Sequence, residues 1–131
     1  MIVLDASAIL DLLLRTPNGD EVLARVSRET ETLHAPEVVD LEVAQALRRH
    51  QAVRQLSSSR ANEAMEDFLA LDVARYAHRD LLPRIWQLKS SLSAYDAAYV
   101  ALAEVLRAPL LTTDQRLART GGHSARIECV R

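Results

Sequence analysis

The sequence predicts an α/β fold in which a mainly parallel sheet of four to five strands lies between two layers of helices. Three observations carry that prediction. Short apolar runs, fit for buried strands, alternate with longer stretches in which apolar residues recur every three or four positions, the helical period. The chain has 131 residues, 49% of them hydrophobic, enough for one sizeable core and too few for two. It holds only 3 Gly and 4 Pro, and no linker, repeat or low-complexity tract divides it, so residues 1–131 read as a single domain.

The elements follow in order. Ile2 to Leu4 is a buried strand, and a helix follows it through about Arg15. Pro17 opens a second helix running to roughly Arg28, because proline is tolerated in a first turn. Thr32 to Ala35 is a short strand, after which Pro36 is expected at the start of the helix EVVDLEVAQALRRH. Ser57 begins the helix whose body is NEAMEDFLAL, and a short strand is expected at Val73 to Tyr76. A helix covers about Leu81 to Leu88, and SAYDAAYVALAEVLR is a strong helical pattern opening on a Ser cap. Pro109 closes it, LLT is a strand, TDQRLAR a short helix and RIECV a last strand.

Composition narrows the setting. No apolar stretch approaches the roughly 18 residues of a membrane span, and Asp5 and Asp11 interrupt the opening segment where a secretory leader would be apolar, so a cytoplasmic protein is expected. The one cysteine, Cys129, has no internal disulfide partner and reads as an inert strand residue. The formal net charge of -2 does not itself argue for a polyanionic partner. All basic side chains except Lys89 are arginines, which suit bidentate phosphate contacts.

The informative residues are carboxylates. Asp5 follows MIVL and Asp114 follows LLTT, so both stand beyond the carboxyl end of a strand, where parallel α/β sheets place ligands. Glu42 projects from a mostly apolar stripe made by Val38, Val39, Gln45 and Ala46. Asp96 has Leu92, Ser93, Tyr99 and Val100 at the same spacings and occupies a first helical turn, which favours negative charge. Each of three acids has a structural alternative: Asp5 capping a helix, Asp96 answering Ser93 in a capping box, Asp114 supporting the TTDQ turn. Glu42, deep in its helix, has none. Taken together, four carboxylates in apolar surroundings repel one another and resist desolvation, so a cluster of them calls for a cation. An all-oxygen donor set suits Mg²⁺ or Mn²⁺ better than zinc, and such a centre suits phosphodiester hydrolysis by metal-activated water. Asp11, one turn after Ser7, and Asp40, near Glu42 on another helix face, are weaker candidates; Asp72 has no partner by spacing.

Four stretches in this order, VLDASAIL, PEVVDLEVAQALRR, LSAYDAAYVALAE and LLTTDQRLA, resemble the PIN-domain family over nearly the whole chain, and within it the small VapC-type toxins of bacterial toxin–antitoxin pairs. The resemblance implies a parallel sheet flanked by helices and an acidic pocket holding one or two Mg²⁺ or Mn²⁺ ions. It implies endoribonuclease activity, often on transfer or ribosomal RNA, inhibition by a small cognate VapB-like antitoxin, and a homodimer. Asp5, Glu42, Asp96 and Asp114 stand at the family's acidic positions, as catalytic and metal-holding residues, and Ser7 and Thr112 at its supporting hydroxyl positions. Gln115 departs from the pattern, where relatives often carry arginine; Arg116 is the nearest substitute for a phosphate contact. The expected products carry a 5′-phosphate and a 3′-hydroxyl.

Other residues point elsewhere or nowhere. His34, His50, His78 and His123 lack zinc-ligand spacing and read as surface or structural histidines. Ser7 and Ser93 lack a His–Asp partnership. Trp86 is expected as a packing anchor. Arg48, Arg49, His50 and Arg54 make a basic helix end, either a solvated cap or an RNA backbone contact, and Arg75, Arg79 and Arg84 form a second basic group. Two other classes compete. A phospho-receiver or aspartyl phosphatase would want a late-strand lysine or an acid in place of Ser7, and the chain supplies neither. A non-catalytic protein- or RNA-binding module would use the acids as caps and leave them without a metal.

Overall fold

A computed structural model describes residues 1–28 and 30–130. Among them, five strands form one parallel sheet: β1 (Ile2–Leu4), β2 (Leu33–Pro36), β3 (Val73–Tyr76), β4 (Leu110–Thr112) and β5 (Ile127–Cys129), in the order β3-β2-β1-β4-β5. The chain winds outward from β1 to β2 and β3, then returns to the other side of β1 for β4 and β5. The reversal therefore falls between β1 and β4, and crevices at such reversals lie beyond the carboxyl ends of the strands. Val3 registers with His34 on one side and Leu110 on the other. Ile2, Val3 and Leu4 are fully buried, as a central strand covered on both faces requires.

Among the described residues seven α-helices connect the strands: α1 (Ala6–Leu14), α2 (Pro17–Val26), α3 (Val38–Ala52), α4 (Ser58–Ala70), α5 (Leu82–Gln87), α6 (Ala94–Leu106) and α7 (Gln115–Ala118). Their starts follow side-chain capping. Asp5, Thr16, Ser57, Ser93 and Asp114 each accept a hydrogen bond from a first-turn amide. Arg15 and Arg107 close α1 and α6 in the left-handed conformation. The helix α6 packs on β1 and β2 and is buried without a break from Ala97 to Ala103. At the far edge, Arg25 of α2 donates to Glu128 of β5 from Nε at 2.9 Å and to Glu31 from Nη1 at 2.7 Å, joining α2 to the last strand.

Two expectations are corrected, those for Pro36 and Trp86. Pro36 ends β2 instead of opening a helix: it pairs with Tyr76, the amide of Glu37 donates to the Tyr76 carbonyl at 2.9 Å, and α3 begins at Val38. The helix expected at about Leu81 to Leu88 is α5, preceded by a single 3-10 turn, Arg79–Leu81, with Pro83 in the first turn of α5. Trp86 is not a packing anchor; it is 69% exposed, with the Lys89 ammonium 4.8 Å from its ring centre.

Candidate active site

Asp5 leaves the carboxyl end of the central strand and caps α1, so its carboxylate is held by the two elements that meet there. Its Oδ1 accepts from the Ser7 hydroxyl at 2.7 Å and the Ala8 amide at 2.9 Å; its Oδ2 accepts from the Thr112 hydroxyl at 2.5 Å. Thr112 is the last residue of β4, the strand beside β1, and its hydroxyl oxygen in turn accepts the Asp114 amide at 2.9 Å. Ser7 accepts the Thr113 amide at 3.1 Å and lies 3.2 Å from the Thr112 hydroxyl. Ser7 and Thr112 thus fasten Asp5 to the turn that carries Asp114. Asp5 is 6% exposed, and its pKa is pushed up to about 6. Burial is the largest cause, the hydrogen bonds from Thr112, Ser7 and Ala8 oppose it, and the charge of Asp96 adds to it.

The other three acids come from separate elements. Asp114 caps α7 through the Arg116 amide at 2.9 Å, and the Arg116 guanidinium lies 3.5 Å from its Oδ2. Asp96 sits in the first turn of α6, its amide bonded to the Ser93 hydroxyl at 3.1 Å. Burial raises its pKa, as does the charge of Asp114, while Arg116 opposes both. Glu42 lies in α3 and accepts the Tyr99 phenol on Oε1 at 2.5 Å; burial raises its pKa, the phenol opposes, and the charge of Asp96 raises it further. Asp96 is therefore the acid whose charge reaches Asp5 and Glu42 and which itself responds to Asp114. Asp5 and Asp114 cap helices, and the charge of Asp96 acts on Asp5 as that of Asp114 acts on Asp96.

The donor chemistry fits a hard divalent cation, since oxygen is the only ligand type these four side chains offer. Among the described residues, no three acids, imidazoles or thiolates stand close enough to form a ready metal cage. The weaker candidates are used elsewhere. Asp11 accepts the Thr16 hydroxyl at 3.0 Å, Asp40 accepts Arg75 Nε at 2.7 Å, and Asp72, just ahead of β3, lies at the opposite end of the sheet. In the second basic group, Arg75 and Arg84 are paired with Asp40 and Glu104. His34 bonds Thr32 and Tyr76, His50 bonds Gln55, and His78 accepts the Val38 amide at 3.0 Å, so these act structurally.

Tyr99 was passed over as a functional residue. Its spacing from Asp96 marks it as a neighbour in the sequence, yet nothing there shows that it meets Glu42, 57 positions away. It is 1% exposed, and its phenol pKa is raised by burial first and then by Glu42, Asp5 and Asp96, which keeps the hydroxyl protonated as a donor.

Residues 2–123 match the sequence profile of the PIN domain. The chain is 47% identical over 131 residues to Ribonuclease VapC12 of Mycobacterium tuberculosis, covering 99% of each chain. It is 43% identical over 121 residues to Ribonuclease VapC9 of the same organism, covering 92% of this chain and 91% of that one. In fold it resembles VapBC2 from Rickettsia felis bound to a DNA fragment from their promoter, with a TM-score of 0.71 over 100% of both chains at 12% identity. The chain belongs to the PIN-domain family, and its full-length likeness sets it among the VapC ribonucleases within that family.

Proposed function

We propose that the chain is a divalent-metal-dependent endoribonuclease toxin, folded as one domain over residues 1–131, in which Asp5, Glu42, Asp96 and Asp114 hold Mg²⁺ or Mn²⁺. The observation that carries this reading is the hydroxyl relay by which Ser7 and Thr112 tie Asp5 to the turn carrying Asp114; the charge of Asp96 acts on Asp5 and Glu42, and among the described residues Arg116 is the cation that opposes it. A cluster built that way costs free energy unless a cation or a protein cation offsets it. When bound, the metal ion supplies Lewis acidity toward a phosphate and acidifies a water molecule.

The chain's own residues do the rest. Ser7 and Thr112 hold Asp5 in one orientation, one hydroxyl on each carboxylate oxygen. Asp96 and Asp114 present carboxylates from two helix N-termini, where negative charge is favoured. Arg116, with a side chain 90% exposed beside Asp114, is placed to meet a phosphate oxygen of the RNA in the position that Gln115 leaves uncharged. Arg49 lies in the groove that also holds Glu42 and Tyr95, and so extends the basic contact along the RNA backbone. Relatives in this family carry the name ribonuclease, and the Rickettsia felis neighbour is a VapBC assembly. A cognate VapB-like antitoxin, a homodimer and a cytoplasmic RNA substrate are the partners and setting proposed here.

Product-end analysis tests the reaction. Cleavage by water activated at this site leaves 5′-phosphate and 3′-hydroxyl ends. A 2′,3′-cyclic phosphate, formed equally well in EDTA, contradicts the proposal.

A further inference from the structure

We propose that Tyr99 is a positioning residue for the nuclease site: its hydroxyl holds Oε1 of Glu42 and thereby turns Oε2 toward the acidic cluster. The inference rests on the reading of Glu42 as a holder of the metal ion. Tyr99 is the largest of the fully buried side chains, and its ring belongs to the core under α6. A buried phenol needs an acceptor. The acceptor comes from α3, across a hydrogen bond of 2.5 Å. Glu42 is half-buried, and among the described residues Oε2 takes no hydrogen bond, so one oxygen is fixed and the other is left free.

Geometry makes this more than a satisfied core tyrosine. Tyr99 is one turn beyond Asp96 on the same buried helix, so a single rigid element carries an acid of the cluster and the clamp on a second acid. Glu42, by contrast, has a flexible side chain and no ion pair among the described residues. Without the phenol it would sample several rotamers, and the ordering would then have to come from metal binding itself. A neutral acceptor at this place would have satisfied the phenol equally well; the chain instead puts a carboxylate there, beside another carboxylate.

Mn²⁺ titration calorimetry on purified protein tests the assignment in four forms: wild type, Tyr99→Phe, Glu42→Ala and the double variant, each checked for folding by near-UV circular dichroism. Phe keeps the buried ring. We expect Tyr99→Phe to weaken Mn²⁺ binding about 10-fold, in line with the loss of an outer partner of a metal ligand. In the Glu42→Ala background the same substitution should change nothing, and saturating Mn²⁺ should restore most of the RNA-cleavage rate of Tyr99→Phe. Unchanged affinity in Tyr99→Phe, with Glu42→Ala weakened, overturns the role of Tyr99 alone. Equal weakening in both backgrounds also overturns it, because Tyr99 would then act through the fold or through Asp96. Unchanged affinity in Glu42→Ala removes Glu42 from the metal site, and the inference falls with it.

Discussion

At the scale of single residues, the site is held at the expense of stability, and Asp5 shows the sign of the effect. Its folded pKa, about 6, lies above the ordinary 3.8, chiefly through burial. Between those values the folded state binds more protons than the unfolded state, so stability falls as pH rises through that window. Two pH units correspond to about 3 kcal/mol. In EDTA, Asp5→Asn should therefore match wild type near pH 4 and exceed it by about 2–3 kcal/mol at pH 7 in urea unfolding. A difference independent of pH would mean that Asp5 is not held in this strained ionised state. Glu104 behaves oppositely. Arg84 holds it down to about 2, aided by the Ser124 amide and hydroxyl. Its contribution is present above about pH 4.5 and is lost as pH falls through the folded value. Glu104→Gln should lower the melting temperature by ~3 °C at neutral pH, with the gap closing in acid.

At the scale of elements, the α1–α2 hairpin shows how local chemistry sets packing. Thr16 caps α2 through the Gly19 amide at 3.0 Å and ties back to Asp11 at 3.0 Å. A Cβ on Gly19 would stand 2.0 Å from the Asp11 carbonyl oxygen, a backbone atom that cannot swing aside. Gly19→Ala should cost at least about 2 kcal/mol in chemical unfolding; a neutral effect would show that the two helices separate easily. Much of this level was legible beforehand. Ser57, Ser93 and the run LLT announce their elements by caps and apolar pattern, and the short strand at Val73–Tyr76 stands where its β-branched and aromatic residues suggest. Pro36 was misread because both a helix start and a strand end tolerate proline, and only pairing with β3 decides between them. The exposure of Trp86 was hidden because apolar character does not say which face of a short helix turns inward: α5 buries Ile85 and leaves Trp86, the next residue, outside.

At the scale of the whole molecule, strand order decides function. Nothing local in MIVLD or LLTTD says that β1 and β4 are neighbours, yet their pairing puts Thr112 on Asp5 and brings the Asp114 turn to the same edge. The four acids were legible by residue type and position after strands or within helices. The hydroxyl relay joining Asp5 to the Asp114 turn, and the reach of Tyr99 to Glu42, depend on long-range packing that spacing does not encode. If these acids act as one metal-dependent site, RNA cleavage will require both the metal and Asp96. Purified chain is incubated with total cellular RNA and Mn²⁺, beside EDTA and a folded Asp96→Asn variant, with cut sites mapped at nucleotide resolution. Discrete cuts are expected with Mn²⁺, vanishing in EDTA and falling at least ~100-fold in Asp96→Asn. Discrete cuts that persist undiminished in Asp96→Asn or in EDTA would contradict one metal-dependent site.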